Sequence, residues 1–138
     1  MKKIMYFFVA ATITMMTVSC SKSSAVKSPK EIEESIYTEV QNGNFDKAVE
    51  LFYDNVDRGD NASTKIEKEE MKAISEKTKQ SAEAKGGLKS FDILSETISE
   101  DGKTATVSTQ INYGNGSVDL QQSSYMNKDG VWKMTVDN

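Results

Sequence analysis

Residues 84–116 read AKGGLKSFDILSETISEDGKTATVSTQINYGNG, and the pattern of this stretch decides the fold class. Apolar and polar residues alternate after its glycine pair, most regularly from Thr104 to Tyr113, and a period of two is typical of strands with one buried face. Turn residues recur at positions 101–102, 114–116 and 129–130. The C-terminal half is therefore predicted to form four antiparallel strands joined by tight turns, the third running from Ser117 to Met126.

The first helix is predicted to begin at a capping box. Ser28 can accept a hydrogen bond at the start of the helix, Pro29 suits its first position, and Glu31 can reach back to the chain. Apolar residues then follow at three- and four-residue spacing, and Asn42 with Gly43 is a typical helix end.

Two further helices are predicted before the strands. Asn44 is expected to cap a short second helix, which gives a helical hairpin with a tight corner. Thr64 to Glu67 forms a second capping box, and it opens a long charged helix that stops at the glycine pair. Helices followed by an antiparallel meander predict an α+β domain, in which the N-terminal hairpin and the long helix pack on a curved four-stranded antiparallel sheet.

The N-terminal residues MKKIMYFFVAATITMMTVSC have the order of an export signal. Two lysines precede an apolar run of residues 4–18, which is shorter than the roughly 20 residues that a membrane span needs, and the small Ser19 precedes Cys20. We therefore expect a lipoprotein signal peptide over residues 1–19, lipid on Cys20, a flexible tether over 20–28 and one domain over 29–138. An ordinary secretory signal with cleavage near Ser19 is the alternative.

The residues after Cys20 bear on location by resemblance to other lipoproteins. Ser21, rather than Asp, follows the cysteine, which in Gram-negative lipoproteins favours transport to the outer membrane. No acidic cluster follows, unlike in surface-exported lipoproteins of the Bacteroides group. We therefore expect a lipid-anchored protein of the outer membrane that faces the periplasm.

Composition excludes several kinds of chemistry. The 138 residues contain no histidine and one cysteine, so Ser-His-Asp, Cys-His and zinc sites are ruled out, and no cofactor or metal site is predicted. The formal net charge of −4 gives no basic surface for nucleic acid. Catalysis would depend on carboxylates, lysines, tyrosines or serines.

Three segments resemble one known family: FDKAVELF at 45–52, the stretch at 84–116 already quoted, and KDGVWKM at 128–134. Together they resemble the lumazine-binding-like small lipoprotein domains of the Bacteroides group, within the nuclear-transport-factor-2-like (NTF2-like) or cystatin-like superfamily. The resemblance covers residues 29–136. It implies a curved sheet wrapped around a long helix into a cone, and many relatives hold a small molecule in the open end.

The cone suggests a candidate pocket, and we predict a shallow or partly filled one because the large side chains must also build the core. Its candidate lining residues are Tyr37, Phe52, Phe91, Tyr113, Tyr125 and Trp132. The expected role is non-catalytic binding of a small apolar ligand or of an envelope protein, the latter at the rim or on the outer sheet face at 117–124. Trp132 is better explained as a core residue than as a stacking platform.

Two functional alternatives stay open. Some superfamily members are isomerases or dehydratases, and Asp92 with a tyrosine could supply such an acid–base pair, although Asp92 can equally face water. Asp54, Asp57 and Asp60 invite a calcium-loop interpretation, but the spacing around Gly59 does not fit one, and a solvated loop is expected.

Overall fold

The structure, a computed structural model, describes residues 26–57 and 68–136. The predicted signal peptide, Cys20, the tether up to residue 25 and the second capping box at 64–67 lie outside these residues. The elements follow one another as three helices and then four strands. They are α1 (Pro29–Gln41), α2 (Phe45–Asn55), α3 (Lys68–Ala84), β1 (Leu88–Ile98), β2 (Thr104–Tyr113), β3 (Val118–Lys128) and β4 (Val131–Thr135).

The capping box at the start of α1 forms as predicted. The Glu31 backbone N–H donates to the Ser28 hydroxyl at 3.2 Å, and the Ser28 backbone N–H donates to the Glu31 carboxylate at 2.8 Å. Two N–H groups that the first helical turn leaves without partners are thereby satisfied, which fixes where α1 begins.

The predicted side-chain cap of α2 is wrong. Asn44 occupies the N-cap position but makes no capping hydrogen bond, and its ψ of 61° departs from the extended conformation that capping residues usually adopt. The Asn44 amide instead donates to Glu39 Oε2 at 2.8 Å, beside the Lys47 ammonium, which lies 2.9 Å from Glu39 Oε1. The tight corner at Gly43 brings this carboxylate within reach, and a charged acceptor is the stronger partner.

The sheet is a simple antiparallel meander in the order β1-β2-β3-β4. Strand β3 ends at Lys128, two residues beyond the predicted Met126, because its pairing with β4 continues to the Lys128–Val131 pair. Asp129 and Gly130 form the turn with φ values of 53° and 86°, and such two-residue turns extend strand pairing to their edges.

One face of the sheet carries the core. A cluster of buried residues packs α1 against strands β2, β3 and β4. Its members are Ile32, Ala105, Val107, Tyr125 and Met134. Ile36, Phe52, Ile93 and Trp132 pack against the cluster as partly buried residues. Helix α1 contacts β1, β2 and β4, and α2 lies between α1 and α3. The predicted architecture is thus confirmed: three helices on one face of a curved four-stranded sheet.

Backbone contacts tie the end of α3 to the β2–β3 turn. The Gly114 N–H donates to the Gly87 carbonyl and the Asn115 N–H to the Lys85 carbonyl, both at 2.9 Å. A Cβ atom on Gly114 would collide with the Gly86 carbonyl oxygen, so only glycine permits this approach. Gly86, Gly87 and Gly114, which mark the ends of α3 and β2 in the sequence, therefore also allow the end of α3 to contact the β2–β3 turn.

Candidate functional site

A cavity of about 360 Å³ opens between the three helices and the inner faces of β3 and β4. Most of its wall is apolar, from Ile36, Val40, Val49, Phe52, Ile74 and Met134. The volume lies at the small end of the roughly 300–1,000 Å³ typical of ligand pockets. The cone that was expected to be shallow or partly filled thus contains space for a small molecule.

Glu33 on α1 is the buried acid of this cavity. Its side chain is 2% exposed, and the Tyr125 hydroxyl donates to Glu33 Oε1 at 2.9 Å. Burial raises the pKa of the Glu33 carboxyl, and hydrogen bonds from Ser123 and Tyr125 oppose this rise. The cavity therefore contains a carboxyl group that resists ionisation and is oriented by two hydroxyl groups.

Tyr37 lies one helical turn further along α1, on the same cavity wall. Its hydroxyl lies 3.3 Å from Gln121 Oε1 and donates to it, and its ring packs on Phe91 with centroids 5.6 Å apart. Burial, and next the charge of Glu33, raise the pKa values of Tyr37 and Tyr125. Both phenols thus stay protonated as hydrogen-bond donors at neutral pH.

A second cavity of about 190 Å³ adjoins the first, because Tyr37, Val40, Thr78 and Gln121 line both. Its far end contains Lys85 and Tyr113. The Lys85 ammonium lies 2.6 Å from Asp119 Oδ2 and 4.5 Å from the centroid of the Tyr113 ring. Here the carboxylate has a cationic partner within the protein.

The candidate pocket residues separate into three groups. Tyr37 and Phe52 line the main cavity, and Tyr113 lines the smaller one. Tyr125 is buried in the core but reaches the main cavity through its bond to Glu33. The remaining two, Phe91 and Trp132, line neither cavity: Phe91 packs on Tyr37, and Trp132 packs against the core cluster.

The candidate acid Asp92 lies away from the cavity. It pairs with Gln110 in the β1–β2 ladder, on the solvent side of the sheet, where Asn112 donates to its carboxylate at 3.3 Å. The acid that sequence reasoning missed is Glu33. A signal for it exists, because Glu33 lies four residues after the buried Pro29 and four before Tyr37, within the helical stripe that faces the sheet.

Of the three aspartates considered for a calcium loop, Asp54 lies within α2 and Asp57 has a structural role. Asp57 forms an ion pair with Lys128 at 2.7 Å, and the Asp57 N–H donates to the Met134 carbonyl at 2.7 Å, while Asp60 lies outside the described residues. Over residues 26–57 and 68–136, no group of three or more acidic, histidine or cysteine side chains could hold a metal ion. Across the same ranges no helix is long and apolar enough to span a membrane.

Sequence comparison now places the chain in a family. The profile of a family described as "Domain of unknown function (DUF4878)" matches residues 18–135. The chain belongs to the DUF4878 family. Among curated proteins, none matches the sequence of this DUF4878 protein significantly.

Solved structures share the fold of this DUF4878 domain. A Campylobacter jejuni protein described as an NTF2-like transpeptidase is 19% identical, with a TM-score of 0.54 over 80% of this chain and 100% of the other. A SEC-C motif containing protein from Rhodopseudomonas palustris is 13% identical, with a TM-score of 0.50 over 83% and 80%. The NTF2-like fold is therefore confirmed, and the closer assignment to lumazine-binding-like lipoproteins stays a prediction.

Proposed function

We propose that this DUF4878 domain is a non-catalytic binding module for a small, largely apolar ligand held in the main cavity. The observation that carries the proposal is the cavity itself, in which side chains from three helices and two strands surround about 360 Å³ of open space. An apolar cavity with a few convergent polar groups is the usual form of a ligand site. Apolar area removed from water would supply most of the affinity, at about 25 cal/mol per Å².

The polar groups of the cavity would orient the ligand. Glu33, Tyr37, Gln121 and Ser123 all line it, and all four already exchange hydrogen bonds with other side chains. Because these side chains are already ordered in the folded protein, a ligand would bind without the entropic cost of ordering them. A ligand with one polar end and an apolar body fits this arrangement.

We further propose that the module is attached to the outer membrane and faces the periplasm, through lipid on Cys20. The proposal rests on the signal-like residues 1–19 and on Ser21. Labelling with a radioactive fatty acid in the native cell should tag the wild-type protein and leave Cys20→Ala untagged. Equal labelling of both proteins would contradict the anchor.

A catalytic role is the second candidate, and the Glu33 site is what favours it. A buried carboxyl group with a raised pKa beside tyrosine hydroxyls is typical of sites that transfer protons. Incubation of the protein with its isolated ligand distinguishes the two roles. The ligand stays chemically unchanged if the protein only binds it, and it is converted if the protein is an isomerase or dehydratase. Conversion that Glu33→Gln abolishes would replace the binding proposal by the catalytic one.

Blocking the cavity tests the binding proposal. Ile74→Trp places a large ring into the cavity from α3, and Leu120→Trp is the matched control, because Leu120 is 73% exposed on the outer sheet face. The neutral fluorescent probe N-phenylnaphthylamine should bind to the wild type and to Leu120→Trp but not to Ile74→Trp. Equal binding by all three proteins, or by none, would contradict the proposal.

A further inference from the structure

Glu33 is a buried acid that pairs with no cation among the residues that the structure describes. The ion pairs within the described ranges involve other carboxylates, and no positive charge contributes to the pKa of Glu33. Its hydrogen-bond partners are the neutral hydroxyls of Ser123 and Tyr125. Buried acids in proteins are normally paired with a cation or kept neutral, so this one lacks something that a ligand could supply.

The hydroxyl groups around Glu33 suit the ionised form of the acid. The Tyr125 hydroxyl donates to Glu33 Oε1, and the bonds from Ser123 and Tyr125 both favour a charged carboxylate. The other titratable groups that act on this site are Tyr37 on α1 and Glu96 on β1, which are neutral or negative at neutral pH. Two donors are thus in place for a carboxylate, while no described residue supplies the counter-charge.

The remaining wall of the cavity also suits a cation. Three aromatic side chains, Tyr37, Phe52 and Tyr53, line the same space as Glu33, and aromatic faces attract positive charge. No lysine or arginine among the described residues lines it. The formal net charge of −4 for the whole chain would likewise attract cations rather than anions.

We propose that the ligand of the main cavity is a small organic ammonium ion, whose charged nitrogen binds to the Glu33 carboxylate and whose apolar body lies among the side chains of α1, α2 and α3. The inference rests on the proposed function and adds the chemical class of the ligand to it. Because burial raises its pKa, the Glu33 carboxyl of the empty cavity is protonated in a larger fraction of molecules than an exposed glutamate would be, and the next step applies to those molecules. When the ammonium ion binds, the O–H bond of the Glu33 carboxyl breaks and its proton passes to the buffer. The ligand keeps its own protons, and no other bond changes.

The first test compares two ligands of the same shape. Cyclohexylmethylamine is protonated at neutral pH and cyclohexylmethanol is not, so calorimetric titration of both isolates the contribution of charge. The wild type should bind the amine at least about tenfold more tightly than the alcohol, which corresponds to about 1.4 kcal/mol. In Glu33→Gln, which keeps the size of the side chain, the ratio should fall below about threefold. Asp92→Asn removes an acid from the outer sheet face and should keep the wild-type ratio.

The second test needs only the wild-type protein. Titration of the amine in two buffers that differ in ionisation enthalpy should reveal proton release that increases as the pH of the titration is lowered toward the pKa of Glu33, and none for the alcohol. Equal affinities without proton release would overturn this inference and leave the apolar binding site standing. If the amine, the alcohol and N-phenylnaphthylamine all fail to bind, the proposed function fails together with the inference.

Discussion

Two carboxylates of this domain each contact a tyrosine, and they differ in burial and in whether a lysine pairs with them. Asp119 is half-exposed, bonds to Tyr113 and pairs with the Lys85 ammonium at 2.6 Å, so Lys85 first and Tyr113 second lower the pKa of Asp119. Glu33 is buried, bonds to Tyr125 and pairs with no cation within residues 26–57 and 68–136, and burial raises its pKa. The fold itself supplies the cation that pairs with Asp119, whereas in our proposal a bound ligand supplies the cation that pairs with Glu33.

The largest difference between the two sites should appear when their tyrosines are truncated. Tyr125 is 1% exposed within the core cluster, so Tyr125→Ala should lower the free energy of unfolding by about 3–5 kcal/mol. Tyr113 is only partly buried, so Tyr113→Ala should cost about half of that or less. Urea denaturation measures both. Equal costs would show that the side chains around Tyr113 are packed as tightly as those around Tyr125.

The segment after α3, at Lys85 to Gly87, is held to the β2–β3 turn by backbone contacts rather than by side-chain packing. Gly114→Ala forces a methyl group against the Gly86 carbonyl and should cost about 1–3 kcal/mol. Gly114 is not at positive φ, so its cost comes from the collision; Gly43 has a φ of 80° and no atom near an added Cβ, so Gly43→Ala measures the cost of a positive φ without a collision, about 1 kcal/mol. Thermal unfolding of the two variants makes the comparison, and a milder effect at Gly114 would contradict this account of the docking.

The pH dependence of stability should have opposite signs at the two acids. The raised pKa of Glu33 gives stability that is fully present below its unfolded value near 4.5 and lost as the pH rises through its folded value. The lowered pKa of Asp119 gives stability that is present above its unfolded value near 3.8 and lost as the pH falls. Glu33→Gln should therefore flatten the decline on the alkaline side of 4.5, and Asp119→Asn the decline in acid. Urea titrations across this pH range would reject the assignment if the two variants behaved alike.

The smallest effect is expected at the exposed ion pair. Lys85→Met keeps most of the side-chain length and removes the charge, and it should change stability only slightly, because water screens exposed ion pairs. The pKa of Asp119, measured by NMR, should rise toward its ordinary value in the same variant. An unchanged pKa would show that Tyr113 alone holds Asp119 ionised.

The sequence was a good guide to the elements because each has a local signal. The capping box at Ser28, the glycine breaks and the alternation of β2 depend on neighbouring residues, and the helix order and sheet topology follow from them. The two wrong predictions, the end of β3 and the side-chain cap of α2, concern features that other parts of the chain determine. Strand β3 continues to Lys128 because that residue pairs with Val131, and Asn44 does not cap α2 because its amide bonds to Glu39. The spacing of neighbouring residues does not predict such contacts.

The site was harder to predict for a related reason. Tyr37 and Phe52 were recognised as large residues at helical spacing, and both line the cavity. Glu33 was missed because a charged residue on a helix usually faces water, and the hydroxyls that stabilise it in the core belong to the distant Ser123 and to Tyr125, 92 positions along the chain. Asp92 was considered instead because strand periodicity alone does not show which face of β1 meets the helices.

The central claim is that the Glu33 carboxyl lacks a cation that a ligand provides, and NMR of this carboxyl tests it most directly. A pH titration of the protein with labelled glutamate carboxyl carbons should give a Glu33 pKa above the ordinary 4.5 without ligand. Saturation with cyclohexylmethylamine should lower that pKa, while saturation with cyclohexylmethanol should leave it raised. A Glu33 pKa at its ordinary value, or one that the amine does not lower, would contradict the account.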